Sequence, residues 1–176
     1  CKDECLPEET NRRIVDIISD VNLCYSEHAR RYLMECGLPK ERTFVTGSPM
    51  AEVLHANLDK IEASNVHQRL GLTKGQYILL SAHREENIDT DRNFVQLFTA
   101  VNAMAEKYNM PILYSCHPRS RKRLDATGFQ LDTRVIAHEP LGFLDYNCLQ
   151  MNAFAVVSDS GTLPEESSFF TSVGKS

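Results

Sequence analysis

The sequence predicts an α/β protein in which helices cover both faces of a parallel β-sheet. From Gln76 onward, short apolar runs alternate with longer segments whose apolar residues recur at helical spacing. Strands that alternate with helices in this way form parallel sheets covered on both faces. Successive apolar runs are followed by polar clusters that contain His, Arg, Glu or Ser, which indicates a ligand site at the strand ends.

The first part of the chain predicts two helices and two strands. A helix begins at Pro7, because proline and the acidic residues after it are favoured in a first helical turn. Ser26 is predicted to cap a second helix that ends near Glu35, where Gly37 stops it. The strands are predicted at residues 21–25 and 42–46. The break at Gly47-Ser48-Pro49 marks a domain boundary between residues 1–46 and 47–176.

The second part of the chain predicts a regular series of elements. Its helices are predicted at residues 50–61, 65–70, 91–108, 119–126 and 144–152, and its strands at residues 77–81, 111–115, 134–137 and 153–157. The helix at 91–108 is amphipathic and carries its apolar residues Phe94, Leu97, Phe98, Val101 and Met104 on one face.

Four successive predicted strands end in polar residues. His83-Arg84-Glu85-Glu86-Asn87 follows the first strand, His117 the second, His138-Glu139 the third and Ser158-Asp159-Ser160-Gly161 the fourth. A chance scatter would place such residues on helix surfaces as readily. Open α/β sheets bind ligands at the carboxyl ends of their strands, so we expect a ligand site at this edge of the sheet.

The last of these strand ends predicts a phosphate site. A tight turn at residues 158–161 leads into Thr162-Leu163-Pro164-Glu165, which has the spacing of a helix capping box. Such a junction directs backbone N–H groups and the positive end of a helix dipole at one point, which suits a phosphate. Many α/β proteins contain a turn of this kind that binds nothing, so both interpretations stand.

Composition and charge exclude several classes. The net charge is −5, which argues against a nucleic-acid surface, and we interpret the basic run at residues 119–123 as a solvated helix face. No apolar run has the roughly 20 residues of a membrane helix. Cys24, Cys36, Cys116 and Cys148 lie in apolar periodic segments and are expected to behave as small hydrophobic residues in a reducing cytoplasm. A zinc site on Cys1 and Cys5 would need a second ligand pair, and we do not expect one.

Five blocks of the sequence resemble one family. They are PEETNRRIVD, TGSPMAEVL, LSAHREENID, the His-Pro at 117–118 and SDSGTLPEE, and they occur in the order found in the non-hydrolysing UDP-N-acetylglucosamine 2-epimerases. The resemblance runs from about residue 4 to the end of the chain. The segments YSCHPRSRKRL and HEPLGFLDYNCLQMNAF are most similar to the capsule and O-antigen branch, which resembles UDP-N-acetyl-L-fucosamine synthase (UDP-2-acetamido-2,6-dideoxy-L-talose 2-epimerase).

The resemblance implies a fold, a substrate and partners. The family has two facing Rossmann-like domains, the GT-B arrangement, so residues 1–46 would be the tail of the N-terminal domain and residues 47–176 an incomplete C-terminal nucleotide-binding domain. The substrate would be a UDP-2-acetamido sugar used for bacterial surface polysaccharide precursors, with no cofactor, no metal, no nucleic acid and no membrane. The full-length protein would be a cytoplasmic homodimer. Both ends of this chain look cut, and the family needs an Asp and a Glu from the absent first part, so we expect the isolated chain to be inactive.

The chemistry explains which groups the family needs. The C2–H bond of the sugar is not next to a carbonyl, so direct deprotonation is difficult. Anti elimination of UDP gives a 2-acetamidoglycal, and re-addition of UDP with a proton on the opposite face completes the inversion. The enzyme must therefore supply acid/base groups on both faces and hold the departing diphosphate.

The resemblance assigns roles to particular residues. Glu8 and His83 are the candidate catalytic residues, although Glu8 could simply complement a helix dipole and His83 could be a helix-capping or core residue. The candidate substrate- and UDP-binding residues are Arg84, His117, Phe143, Tyr146, Ser160, Gly161, Thr162 and Glu166. Within this set, the residues at 160–162 would hold the diphosphate and Glu166 the ribose. One of Phe143 and Tyr146 would line the base pocket, and Arg84 and His117 would line the sugar and diphosphate region.

Structural explanations remain for several of these residues. Glu166 could be a solvated helix acid, Phe143 and Tyr146 could be buried for packing, and His117 could be a turn residue. Two other functions also remain open. A GT-B glycosyltransferase would use the same nucleotide pocket but transfer the sugar to an acceptor, and a UDP-binding fragment would bind without turnover.

Overall fold

A computed structural model of the chain describes residues 7–83, 90–116 and 118–172, and among these it leaves the side chains of Pro7 and Arg119 undescribed. The chain divides into two compact units, Cys1–Glu52 and Val53–Ser176, which are described separately below. The domain boundary near Gly47 stays a prediction.

The first unit contains a short parallel sheet and the helices beside it. Its elements are α1 (Pro7–Ile18), β1 (Asn22–Cys24), α2 (Glu27–Glu35), a 3-10 turn (Lys40–Arg42) and β2 (Thr43–Val45). β1 and β2 are parallel, with Leu23 opposite Phe44. Ser26 caps α2 as predicted, because its side chain accepts a hydrogen bond from Ala29 N at 3.2 Å.

The second unit contains a four-stranded parallel sheet with the strand order β5-β4-β3-β6. The elements that follow β2 are α3 (Met50–Glu62, whose first three residues belong to the first unit), α4 (Val66–Leu70), β3 (Ile78–Ser81), α5 (Asp91–Tyr108), β4 (Ile112–Ser115), α6 (Pro118–Thr127), β5 (Val135–His138), α7 (Phe143–Met151), β6 (Ala155–Ser158) and α8 (Leu163–Ser172). Because neighbouring strands are parallel, their carboxyl ends share one edge of the sheet.

The core of the second unit forms where α5 packs on the sheet. Phe94, Phe98 and Val101 are fully buried on the predicted face of α5. The Phe98 ring lies 4.7 Å from the Phe94 ring and 5.4 Å from the Tyr114 ring of β4, measured between centroids. Burying a phenylalanine side chain contributes roughly 1.5–3 kcal/mol, so these rings fix α5 on the sheet. The other two predicted members of the face, Leu97 and Met104, are only partly buried at its margin.

The structure corrects some details of the sequence prediction. β5 begins and ends one residue later than predicted, and β6 begins two residues later and ends one residue later, so His138 and Ser158 belong to strands and not to the loops after them. Cys24, Cys116 and Cys148 are buried as expected, but Cys36 is exposed because it follows the last residue of α2. In the described part of the chain, no helix is both long and apolar enough to cross a membrane.

Candidate functional site

Three serines at the carboxyl edge of the second unit's sheet lie side by side. Ser81, Ser115 and Ser158 are the last residues of β3, β4 and β6, and β3 lies between the other two strands. Ser81 is directly opposite Ser158 in the parallel register, and Ser81 and Ser115 are buried. We call these three residues the serine floor. It gives the end of the sheet a surface of small hydroxyl groups.

A cavity of about 230 Å³ opens above the serine floor. It is lined by Ser81, His83, Ser115, Pro140, Leu141, Tyr146, Ser158, Ser160, Thr162, Leu163 and Glu166. Residues from the exits of β3, β5 and β6 and from two helices therefore meet in one space, as expected for the carboxyl edge of an open α/β sheet. We call this space the carboxyl-edge cavity. Five of the predicted site residues line it, namely His83, Tyr146, Ser160, Thr162 and Glu166.

The turn between β6 and α8, residues 158–162, is held by its own hydroxyl groups, and we call it the Ser160 turn. Ser160 N donates a hydrogen bond to Ser158 Oγ at 3.0 Å. The hydroxyls of Ser160 and Thr162 lie 3.0 Å apart, and Thr162 N donates to Ser160 Oγ at 3.4 Å. These hydrogen bonds connect the residues of the turn to one another. α8 begins at Leu163, directly after Thr162, so the start of a helix lies beside these hydroxyls.

Tyr146 lies on α7 and is half-buried in the cavity wall. Burial raises the pKa of its hydroxyl; a hydrogen bond with Ser81 opposes this effect, and the negative charges of Glu166 and Asp159 raise the pKa further. The Tyr146 hydroxyl is therefore neutral over the ordinary pH range and can act both as donor and as acceptor.

Asp159 connects the exits of β3 and β6. Its backbone N donates to Ser81 O at 3.2 Å, which continues the strand pairing by one residue. Its carboxylate accepts a hydrogen bond from His83 N, with both oxygens 3.0 Å from that nitrogen. The backbone at His83 is thereby tied to the Ser160 turn, while His83 itself is exposed.

The other predicted site residues do not line the cavity or lie outside the described residues. Phe143 is the first residue of α7 and is 43% exposed, and Gly161 is exposed in the Ser160 turn; neither is among the lining residues. Glu8 is exposed in the first turn of α1, in the first unit. Its neighbour Glu9 is buried and paired with Arg13 at 3.2 Å. Arg84 and His117 lie outside the described residues.

Sequence reasoning missed the serine floor, Asp159 as a contact of His83, and the wall at Pro140 and Leu141. A signal for the floor was present, because the strands read ILLS, ILYS and AVVS and each ends in serine. Serine also follows apolar runs at many ordinary turns, so a serine at the end of a predicted strand does not by itself identify a site. In the described residues, no three His, Cys, Asp or Glu side chains are grouped so that they could hold a metal ion.

A second group of polar residues in this unit is sealed in the protein, and we call His67, Tyr77 and Cys148 the buried cluster. Tyr77 is fully buried, and its hydroxyl donates to Leu149 O of α7 at 2.5 Å. Since that one hydrogen is used, the hydroxyl must accept from His67 Nε2, which lies 3.0 Å away. His67 Nδ1 is then the unprotonated nitrogen, and it faces the Cys148 thiol at 3.9 Å.

Fold and cavity together define an α/β protein with a cavity at the carboxyl edge of a parallel sheet, which is the edge where open sheets of this kind bind ligands. Comparison with known proteins specifies this class. Residues 1–173 match the family described as UDP-N-acetylglucosamine 2-epimerase, so the chain belongs to that family. Its structural neighbours are GT-B type UDP-N-acetylglucosamine 2-epimerases, and the predicted fold class is confirmed.

Individual relatives cover nearly all of this chain. The UDP-N-acetylglucosamine 2-epimerase of Rickettsia bellii superposes with a TM-score of 0.85 and 42% identity, over 96% of this chain and 44% of its own. That of Methanocaldococcus jannaschii, solved in complex with UDP-GlcNAc and UDP, gives a TM-score of 0.85 at 29% identity, over 96% and 48%. The Methanococcus maripaludis enzyme of the same name is 31% identical over 93% of this chain and 47% of its own. The chain thus spans about half the length of the relatives it matches.

Proposed function

We propose that this chain supplies the nucleotide-binding part of a UDP-sugar 2-epimerase, an isomerase that inverts C2 of a UDP-2-acetamido sugar. The observation that carries the proposal is the carboxyl-edge cavity, in which His83, Ser160 and Glu166 line one space. Two relatives support it: the Methanococcus maripaludis protein bears the name of this activity, and the Methanocaldococcus jannaschii structure contains UDP-GlcNAc and UDP.

The Ser160 turn would bind the diphosphate. The hydroxyls of Ser160 and Thr162 now hydrogen-bond each other, and both side chains are exposed at the start of α8. A phosphate oxygen can take the place of this mutual contact, since each hydroxyl can rotate and donate to it without movement of the backbone. The helix start adds a positive partial charge at the same point.

His83 would supply positive charge and a proton. Among the described residues that line the cavity, His83 has the one basic side chain. As the C1–O bond breaks, negative charge develops on the diphosphate, and an imidazolium beside it stabilises that charge or protonates the leaving oxygen. Arg84 and His117, which lie outside the described residues, are proposed to share this task.

The reaction proceeds in two balanced halves. In the first half a base takes the proton from C2, the electron pair forms the C1–C2 double bond, and the C1–O electron pair leaves with UDP. In the second half UDP adds to C1 of the 2-acetamidoglycal and a proton reaches C2 from the opposite face. Glu8 is the proposed acid/base group of this chain for one of these proton transfers.

Tyr146 and Glu166 would orient the nucleoside. The Glu166 carboxylate can accept hydrogen bonds from the ribose hydroxyls, and it is half-buried in the cavity wall. Tyr146 stays neutral because burial raises its pKa, so its ring and hydroxyl can border the base without adding charge. Phe143 is exposed at the start of α7 and is proposed as a further contact to the base.

The sugar is proposed to be a 6-deoxy one. The resemblance of residues 114–124 and 138–154 to the capsule and O-antigen branch supports UDP-2-acetamido-2,6-dideoxy-L-talose over UDP-N-acetylglucosamine. The isolated chain is proposed to bind UDP without turnover, because it spans about half the length of its relatives. The homodimer and the cytoplasmic location stay predictions.

Deuterium incorporation from heavy water tests the reaction in the full-length protein. Each of the two UDP sugars is incubated separately, and C2 is analysed by NMR. We expect deuterium at C2 and inverted configuration, faster with the 6-deoxy sugar. If neither sugar gains deuterium at C2 and the sugar is instead transferred to an added acceptor, the protein is a glycosyltransferase and the epimerase proposal is wrong. UDP binding without either reaction would leave only a binding module.

A further inference from the structure

Asp159 directly follows β6 and forms a hydrogen bond with the last residue of β3. The parallel pairing of β3 with β6 ends at Ser81 opposite Ser158. Asp159 extends this pairing through its own N–H, which donates to Ser81 O at 3.2 Å. Its carboxylate lies beyond the end of this strand pairing and accepts a hydrogen bond from His83 N. That nitrogen is 3.0 Å from each carboxylate oxygen.

The chemistry of this contact suits a carboxylate. A backbone N–H needs an acceptor, and an ionised carboxylate has two acceptor oxygens and no donor that could repel it. Hydrogen bonds to a charged acceptor are also stronger than neutral ones. A carboxylate beside a site for a diphosphate carries an electrostatic cost, because like charges repel. Its presence there calls for a compensating role.

We propose that Asp159 is a positioning residue that holds the exit of β3, and with it the His83 imidazole, in place beside the Ser160 turn. The inference rests on the proposed function, in which His83 acts on the diphosphate that the Ser160 turn binds. Asp159 itself touches neither sugar nor phosphate. It acts through His83, since it is adjacent to Ser160 in sequence and hydrogen-bonded to the backbone of His83.

Asp159→Ala in the full-length protein is the main test. Misplacement of a catalytic group by about 1 Å can cost roughly 100-fold in rate, so we expect kcat for C2 inversion to fall about 10- to 100-fold. The KM for the UDP sugar should change less, because the hydroxyls of Ser160 and Thr162 remain. Asp159→Asn keeps one acceptor oxygen for His83 N and should recover kcat to within about threefold of the wild type. Asp59→Ala, at an exposed acid on α3, is the matched control.

A double-mutant cycle separates positioning from a general loss of stability. His83→Ala keeps the backbone N–H but removes the imidazole, so Asp159→Ala in that background should lower kcat by less than about threefold further. An equal loss in both backgrounds would overturn the proposal, as would an Asp159→Ala protein with the wild-type kcat or an Asp159→Asn protein as slow as Asp159→Ala.

Amide hydrogen exchange at His83 gives a readout that does not depend on activity. The His83 N–H should be protected in the wild type and in Asp159→Asn, and should exchange at least tenfold faster in Asp159→Ala. Protection unchanged in Asp159→Ala would contradict the contact itself. A wild type that inverts neither sugar, with the exchange pattern as expected, would instead reject the proposed function while leaving the Asp159–His83 contact intact.

Discussion

Two neighbourhoods of the second unit each combine a histidine with a tyrosine, and they differ in what those residues can do. Tyr77 directly precedes β3 and belongs to the buried cluster, whereas His83 lies just past the end of β3 in the carboxyl-edge cavity. α7 takes part in both, since it carries Tyr146 at the cavity and Leu149 O at the buried cluster. The two ends of β3 and the helix α7 therefore contribute residues both to the buried cluster and to the carboxyl-edge cavity.

The difference lies in how the hydrogen bonds are used. In the buried cluster, the Tyr77 hydroxyl donates to Leu149 O and accepts from His67, and both residues are buried. In the carboxyl-edge cavity, the hydroxyls of Ser160 and Thr162 contact each other but are exposed, and so is His83. A polar group that is sealed and satisfied stabilises the fold, whereas an exposed one at a strand end can exchange its partner for a ligand.

Removing the His83 imidazole from the carboxyl-edge cavity should have the largest effect, and that effect should be on activity. General acid–base catalysis contributes about 10²- to 10⁴-fold, so we expect His83→Ala to lower C2 deuterium incorporation by that factor in the full-length protein. Its melting temperature should stay close to that of the wild type because His83 is exposed. His55→Ala, at an exposed histidine on α3, is the matched control and should keep full activity. Normal labelling by His83→Ala would remove this residue from the mechanism.

Removing the Tyr77 hydroxyl from the buried cluster should lower the free energy of unfolding. Tyr77→Phe leaves the His67 N–H and Leu149 O buried without their partner, which costs about 1–3 kcal/mol of the free energy of unfolding. Urea denaturation measures this loss. Tyr108→Phe, at a 43% exposed tyrosine on α5, should change the free energy of unfolding by less than about 0.5 kcal/mol. A Tyr77→Phe protein as stable as the wild type would show that this hydrogen-bonded pair contributes little.

Gly161 tests whether a phosphate approaches the backbone of the Ser160 turn. An added Cβ would meet nothing within 4 Å, and the φ of Gly161 is not left-handed, so Gly161→Ala should fold normally. A phosphate bound against this backbone would collide with the new methyl group, and we expect UDP affinity to fall about tenfold. Calorimetric titration with UDP measures it, with Ser168→Ala on α8 as the control. Unchanged UDP affinity would show that no phosphate lies against the backbone of Gly161.

The order of elements could be predicted because its signals are local. Apolar runs, capping residues and glycines lie within a few positions of the structures they specify, as at Ser26 and in the helix Asp91–Tyr108. The strand order β5-β4-β3-β6 could not be derived in the same way, because it depends on which apolar faces pack together in three dimensions. Cys36 shows a related limit: the end of α2 at Glu35 was predicted, but whether the next residue is buried depends on which elements pack around it.

The candidate site could be predicted in part for a related reason. Parallel strands bring their carboxyl ends to one edge, so polar residues after strands, such as His83 and Ser160, were predicted to lie together, and they do line one cavity. The contact from Asp159 to His83 N joins positions 76 residues apart, and no local pattern encodes it. The roles of all the predicted site residues stay predictions, and three of those residues, Glu8, Phe143 and Gly161, do not line the cavity.

The smallest effect should be that of His67 protonation on the free energy of unfolding. Burial and the positive charge of Lys74 lower the pKa of His67 from 6.5. The groups that face it are the Tyr77 hydroxyl and the Cys148 thiol, and both are neutral at neutral pH because burial raises the pKa of each. The unfolded chain therefore takes up this proton at a higher pH than the folded chain, so the free energy of unfolding falls as the pH drops below 6.5. His67→Gln keeps an N–H that can reach Tyr77 but cannot titrate. Between about pH 7 and about pH 5.5, the wild type should lose more stability than His67→Gln in urea denaturation. Equal losses would mean that His67 takes up its proton as readily in the folded chain as in the unfolded one, and the buried cluster would then be open to water in a way that its hydrogen bonds contradict.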